Sequence, residues 1–214
     1  MQIDNPLHDS WKYSNVFKKQ LDLCKQELSS SAPPIHWAEF SSILKLLKPR
    51  SLLDVGCGCG VFYLLSKHTI PDLKYLGIDY AEKAISTAKS AWKYAGFVQK
   101  DLFEINQHDV KDFDLIYLGA VFDVLPNGDT ALEHILSLSA GFLAIGRIRF
   151  TENPSYFQVY EAYNEIETCS YFHNSTNFKN LCQQYRYSIK NIGTTLLLTK
   201  SQQPFHHRIS KPGF

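Results

Sequence analysis

The 214-residue chain contains no run of about 18 apolar residues, the length a helix needs to cross a bilayer. Its opening Met1-Gln2-Ile3-Asp4-Asn5-Pro6 lacks the basic-then-apolar pattern of a secretion leader, so no membrane partner and a cytoplasmic location are expected. Neither sign of charge dominates: 22 Lys and Arg stand against 21 Asp and Glu, for a net charge of +1. No dense Lys/Arg block occurs, and a nucleic-acid substrate usually leaves a basic footprint, so such a partner is disfavoured. Internal repeats and low-complexity tracts are also missing. The five cysteines include no C-x₂₋₄-C pair of the kind that holds zinc, and their odd number argues against a disulfide framework. No metal is therefore expected. Cys57 and Cys59 read as small side chains in the variable places of a turn.

That turn is the most informative stretch present. Leu52-Leu53-Asp54-Val55-Gly56-Cys57-Gly58-Cys59-Gly60 reads as an apolar strand ending in three alternate glycines. Glycine reaches positive φ cheaply and lets a ligand approach the backbone closely. Helix-forming sequence follows at once from Val61 to Lys67, so the turn opens onto a helix N-terminus, which favours an anionic or electron-rich ligand. A dinucleotide fingerprint requires G-x-G-x-x-G/A, but the third small position, counted from Gly56 and Gly58, falls on Val61.

Further stations follow in order. Leu73 to Ile78 reads as a second strand tipped by Asp79, about 20 residues past the glycines, where a carboxylate can accept from ribose hydroxyls. Ala84, Ile85, Ala88 and Trp92 have helical spacing within Ala81 to Lys93. Phe97 to Leu102 reads as a third strand and its tip, Phe113 to Leu118 as a fourth, and Phe142 to Ile148 as a fifth. Alternating strands and helices at this length point to one α/β domain with a doubly wound, mostly parallel sheet.

The pattern Asp54-x-Gly56-x-Gly58-x-Gly60, with the acids Asp79 and Asp101 and the Phe113-Asp114-Leu115-Ile116 opening, resembles the class I S-adenosylmethionine (SAM) methyltransferases. The resemblance spans roughly Arg50 to Arg149. It implies a Rossmann-like sheet of seven strands with helices on both faces, closed by an antiparallel C-terminal hairpin, Tyr187 to Ile192 and Thr194 to Thr199, around Gly193. It also implies SAM as cofactor, contacted by Asp54, Gly56, Cys57, Gly58, Gly60, Asp79, Tyr80, Asp101, Leu102 and Gly119. The implied division is an N-terminal helical cap over residues 1–48, a SAM-binding domain over 49–200 and a tail over 201–214.

Outside the cofactor half, Trp11 to Leu28 and a segment from Ile35 or His36 to Leu47 read as helices that cover the pocket. His36 and Trp37 are candidates for its methionine end. Residues 147–173 are rich in aromatics and follow a strand's carboxyl end, which suits an acceptor-side lid. Tyr156, Tyr160 and Tyr163 also have helical spacing, so a short helix packed on the core competes with that reading. Asp123, His173 and Tyr163 are the candidate catalytic groups, with Asn174 able to cap the next helix instead. Arg147 and Arg149 could hold an anionic acceptor. His206 and His207 read as an adventitious pair in the tail.

The expected function is methyl transfer to an O or N atom of a small molecule, by a monomer or homodimer. Three alternatives stay open: a non-catalytic partner subunit, a nicotinamide oxidoreductase and an aminopropyl transferase.

Overall fold

In a computed structural model, residues 6–12, 15–138 and 140–201 are described. The His206–His207 pair and nearly all of the expected tail lie outside them. Two sheets organise the chain. The large one has seven strands: β1 (Ser51–Val55), β2 (Lys74–Asp79), β3 (Gly96–Gln99), β4 (Leu115–Gly119), β5 (Phe142–Gly146), β9 (Tyr187–Ile192) and β10 (Thr195–Lys200). Their order is β3-β2-β1-β4-β5-β10-β9, parallel as far as β5, with β10 antiparallel to both its neighbours. This is the expected seven-stranded, doubly wound arrangement. Strand order reverses between β1 and β4, and a crevice opens there at the carboxyl ends.

Strand side chains alternate between two cores, as a period of two requires. Leu53, Val55, Ile116, Leu118, Leu143, Ile145, Leu196 and Leu198 enter one core. It is completed by α6 (Gly128–Ser137) and α7 (Ser175–Gln184), through Leu132, Ile135, Leu136, Phe178 and Cys182. Leu52, Leu115, Tyr117, Ala144 and Leu197 face the other core. That side is covered by α2 (Ile35–Leu47), α3 (Val61–Thr69) and α4 (Glu82–Ala91). All five residues of β1 are buried because helices pack on both its faces.

α1 (Phe17–Leu28) starts later than the spacing predicts. Trp11 lies in a turn before it, donating from Nε1 to Thr168 Oγ1 at 2.9 Å and meeting Tyr163 edge-on. This contact ties the N-terminal segment to the second sheet. α5 (Gln107–Val110) is a single turn capped by Asn106.

The second sheet corrects the helical alternative for residues 147–173. β7 (Tyr156–Ala162) pairs antiparallel with β8 (Ile166–Asn174), and β6 (Phe150–Thr151) joins the other edge of β8. Tyr156, Tyr160 and Tyr163 share helical spacing, but the run Tyr-Phe-Gln-Val-Tyr favours a pleated strand. Tyr163 and Asn164 both take positive φ, 57° and 56°, which reverses the chain as a mirror-image hairpin turn does. The C-terminal hairpin is present, with its turn at Gly193 held by Glu39 of α2. That carboxylate accepts from Thr194 N at 2.8 Å and from Thr195 Oγ1 at 2.7 Å. Among the described residues, no helix is long and apolar enough to cross a membrane.

Candidate functional site

A cavity of about 540 Å³ opens over the crevice, within the range of small-molecule sites. Its floor is the glycine turn. Gly56, Gly58 and Gly60 have φ of 73°, 51° and 78°, a conformation that costs other residues strain. The three have different neighbours. A Cβ on Gly58 would stand 2.9 Å from Oε1 of Gln20, another lining residue, so the bare backbone is itself cavity surface. A Cβ on Gly56 would meet Val121 at 2.5 Å. At Gly60 it would meet Phe97 and Trp92 instead, and Gly60 does not line the cavity.

Asp79, at the tip of β2, joins this floor to the wall. It accepts from Gly58 N and Ala81 N, each at 2.9 Å. Burial lifts its pKa to about 6 even though those N–H groups oppose the shift. Asp54 lies beneath the turn and does not line the cavity. Its Oδ2 accepts from Tyr75 Oη at 2.6 Å, while Oδ1 has no hydrogen-bond partner among the described residues. Burial raises it to about 7, against the Tyr75 hydrogen bond and with the neighbouring Asp79 adding to the rise.

One end of the cavity is formed by Tyr80, Asp101 and Leu102. Asp101 caps the following turn by accepting from Phe103 N at 2.9 Å. The other end carries His36, Trp37, Phe62, Arg147, Tyr160 and Tyr163. Cys57 and Gly119 also line the cavity. Thus ten of the twelve sequence-predicted cofactor residues meet on one surface; Asp54 and Gly60 stand behind it.

The three candidate catalytic groups separate. Tyr163 lines the cavity, and burial raises its hydroxyl pKa. Asp123 is buried outside the lining, raised by burial against the pull of Arg147 and Arg149. His173 is wholly buried outside the lining, with Nδ1 2.6 Å from Asp129 Oδ1 and its ring against Tyr171 and Phe178. Asn174 caps α7 by accepting from Asn177 N at 2.8 Å, as its type allows.

The sequence reading missed several lining residues. Gln20 and Cys24 come from α1, and His8 and Trp11 from the segment before it. Only long-range packing brings them over the turn. Cys24 and Cys59 lie Sγ to Sγ at 3.9 Å, a proximity that a separation of 35 positions conceals from spacing rules. Among the described residues, no cluster of three metal-ligating side chains occurs.

These features fit SAM. Backbone without side chains borders the cavity, a buried carboxylate at a strand tip faces it, and aromatic faces suited to a cation line the far end.

Residues 53–140 match a family model described as a methyltransferase domain. A trans-aconitate 2-methyltransferase from Methylobacterium radiotolerans is 30% identical over 110 residues, covering 50% of this chain and 42% of that protein. A tRNA N(3)-methylcytidine methyltransferase from Schizosaccharomyces pombe is 33% identical over 79 residues, covering 34% and 26%. The chain therefore spans less than half the length of these relatives. Among solved structures, the SAM-bound amino pentose methyltransferase from Micromonospora echinaspora matches with a TM-score of 0.62 at 12% identity. That match covers 88% of this chain and 98% of the other, a likeness of fold. The glycine turn, the strand order and the methyltransferase-domain match over residues 53–140 together support a class I S-adenosylmethionine-dependent methyltransferase.

Proposed function

We propose that this chain binds SAM in the cavity and transfers its methyl group to an O or N atom of a small-molecule acceptor. The observation that carries the reading is the glycine turn bonded to Asp79 at the point where the strand order reverses. Asp79 would hold the ribose hydroxyls, with Tyr80 beside it. Asp101 and Leu102 would border the adenine. Gly56, Cys57, Gly58 and Gly119 would border the amino-acid part, with His36 and Trp37 at its far end. Asp54 would act through the turn it supports, and Gly60 by letting α3 start close against Trp92 and Phe97.

When bound, SAM supplies a methyl group already activated on a sulfonium. The chain's own task is then alignment and exclusion of water. Trp11, Tyr160 and Tyr163 form a wall that serves both. The raised pKa of Tyr163 keeps its hydroxyl protonated, so it orients an acceptor as a donor and is a poor base. Asp123 and His173 support the wall from behind; the hydrogen bond from Tyr171 N to the Asp123 carbonyl, 2.8 Å, is one such tie. An amine arriving neutral needs no base, and an acidic hydroxyl or carboxylate arrives ionised.

The near-neutral charge and aromatic wall favour a small molecule over a nucleic acid. The names of the trans-aconitate and amino pentose relatives point the same way, whereas the tRNA relative does not. The test is incubation with methyl-labelled SAM and a metabolite mixture, with total tRNA run in parallel. Label in small-molecule products supports the proposal, and label in tRNA alone overturns the acceptor class.

A further inference from the structure

At the carboxyl ends of β4 and β5, two residues other than glycine hold left-handed backbone: Ala120 at φ 59° and Arg147 at φ 61°. They are neighbours, since Ala120 N donates to Gly146 O at 3.1 Å, and both line the cavity. Backbone strain concentrated at a site edge is a reason to ask what the strained side chain does. Two permanently cationic side chains line the cavity among the described residues, Lys100 and Arg147. Lys100 is paired with Asp109 at 2.7 Å. Arg147 forms no ion pair or hydrogen bond with a described residue, and stands at the end that carries His36, Trp37, Tyr160 and Tyr163.

We propose that Arg147 is the acceptor-binding cation and that the acceptor carries a carboxylate. The inference rests on the methyl-transfer reading and adds its substrate class. Arg147 is the permanent charge at that end: burial, and then Arg147 itself, lower the pKa of His36 and keep that ring neutral. Arg149, two residues on, does not line the cavity and lies 5.8 Å over the ring of Phe172. The planar guanidinium fork matches a carboxylate with two parallel hydrogen bonds. A phosphate dianion would want more donors than one fork gives. Tyr160, Tyr163 and Trp37 supply apolar faces for the rest of the acceptor.

The test compares wild type with Arg147→Gln and Arg147→Lys, each saturated with S-adenosylhomocysteine. Gln and Lys meet the same positive φ as Arg, so the backbone strain is common to all three. The probes are citrate, trans-aconitate, 4-hydroxybenzoate and N-acetylglycine, each beside its primary amide, titrated by calorimetry. The expected result is that at least one acid binds wild type tenfold or more tighter than its amide. Arg147→Gln then loses that preference and Arg147→Lys keeps part of it, with S-adenosylhomocysteine affinity unchanged throughout. No acid preferred over its amide, or an equal preference in Arg147→Gln, overturns the proposal. Failure of S-adenosylhomocysteine to bind wild type overturns the underlying reading instead.

Discussion

The Asp79 carboxylate accepts from the Gly58 amide at 2.9 Å, which ties the tip of β2 to the glycine turn. Its second oxygen accepts from Ala81 N at the start of α4, also at 2.9 Å. One side chain therefore fixes the turn, a helix start and the cavity wall. Asp79→Ala is expected to weaken S-adenosylhomocysteine binding by about 1–3 kcal/mol, the range for losing bonds to a buried partner. Calorimetry reads this directly, and unchanged affinity would remove Asp79 from the binding site.

The glycines are expected to divide by role. Gly58→Val places a branched side chain on the cavity surface and should abolish ligand binding while the fold persists. Gly60→Val drives a side chain into Phe97 and Trp92, which a Cβ would meet at 2.7 and 2.9 Å. It adds about 1–2 kcal/mol of left-handed strain to that clash. Its main effect should be a lower melting temperature. Thermal melts beside calorimetry separate the two, and the same behaviour from both variants would contradict the division.

Asp54 and Asp79 set a pH dependence of stability. Their folded-state values, about 7 and about 6, lie above the usual value of 3.8, so between these limits the folded state binds more protons than the unfolded chain. Their contribution to stability is full near pH 4 and declines as pH rises through 6 and 7. Asp54→Asn removes one of the two groups and should flatten the fall in melting temperature between pH 5 and pH 8. An unaltered slope would show that Asp54 does not titrate in that window.

His173 is expected to act in the core. It is wholly buried, bonded to Asp129 and packed on Phe178, so His173→Ala should cost about 2–4 kcal/mol of stability. Ligand affinity of the folded protein should stay within twofold. A variant that melts normally but fails to turn over would return His173 to the chemistry.

The sequence carried the cofactor half well because its signals are local. A buried strand, three glycines and an acid at the next strand tip lie within Leu52 to Asp79, and each shape follows from neighbours a few positions away. The hairpin of β7 and β8 was less legible: Tyr156, Tyr160 and Tyr163 satisfy a helical period, and Tyr156, Gln158, Tyr160 and Ala162 satisfy a strand period equally. Pairing with β8, and left-handed backbone at Tyr163 and Asn164, decided between them. The cover from Trp11, Gln20 and Cys24 depends on contacts such as Trp11 to Thr168, 157 positions apart, which no local pattern encodes. Arg147 and Arg149 look alike in sequence, and only the turn at the end of β5 sends them to different surroundings.

Cys24 offers a chemical probe of that cover. It is half-buried, lines the cavity, and its pKa is lowered chiefly by the hydrogen bond with Cys59, so it should alkylate before the wholly buried cysteines. Modification by N-ethylmaleimide, located by mass spectrometry, should block S-adenosylhomocysteine binding, and bound ligand should slow it. Equal labelling with and without ligand would place Cys24 outside the occupied space.

Calorimetric titration of the intact chain with S-adenosylhomocysteine, with NAD run beside it, tests the central claim most directly. Micromolar binding of S-adenosylhomocysteine alone is expected. Binding of NAD instead, or of neither by a sample whose melt shows it folded, would contradict the account.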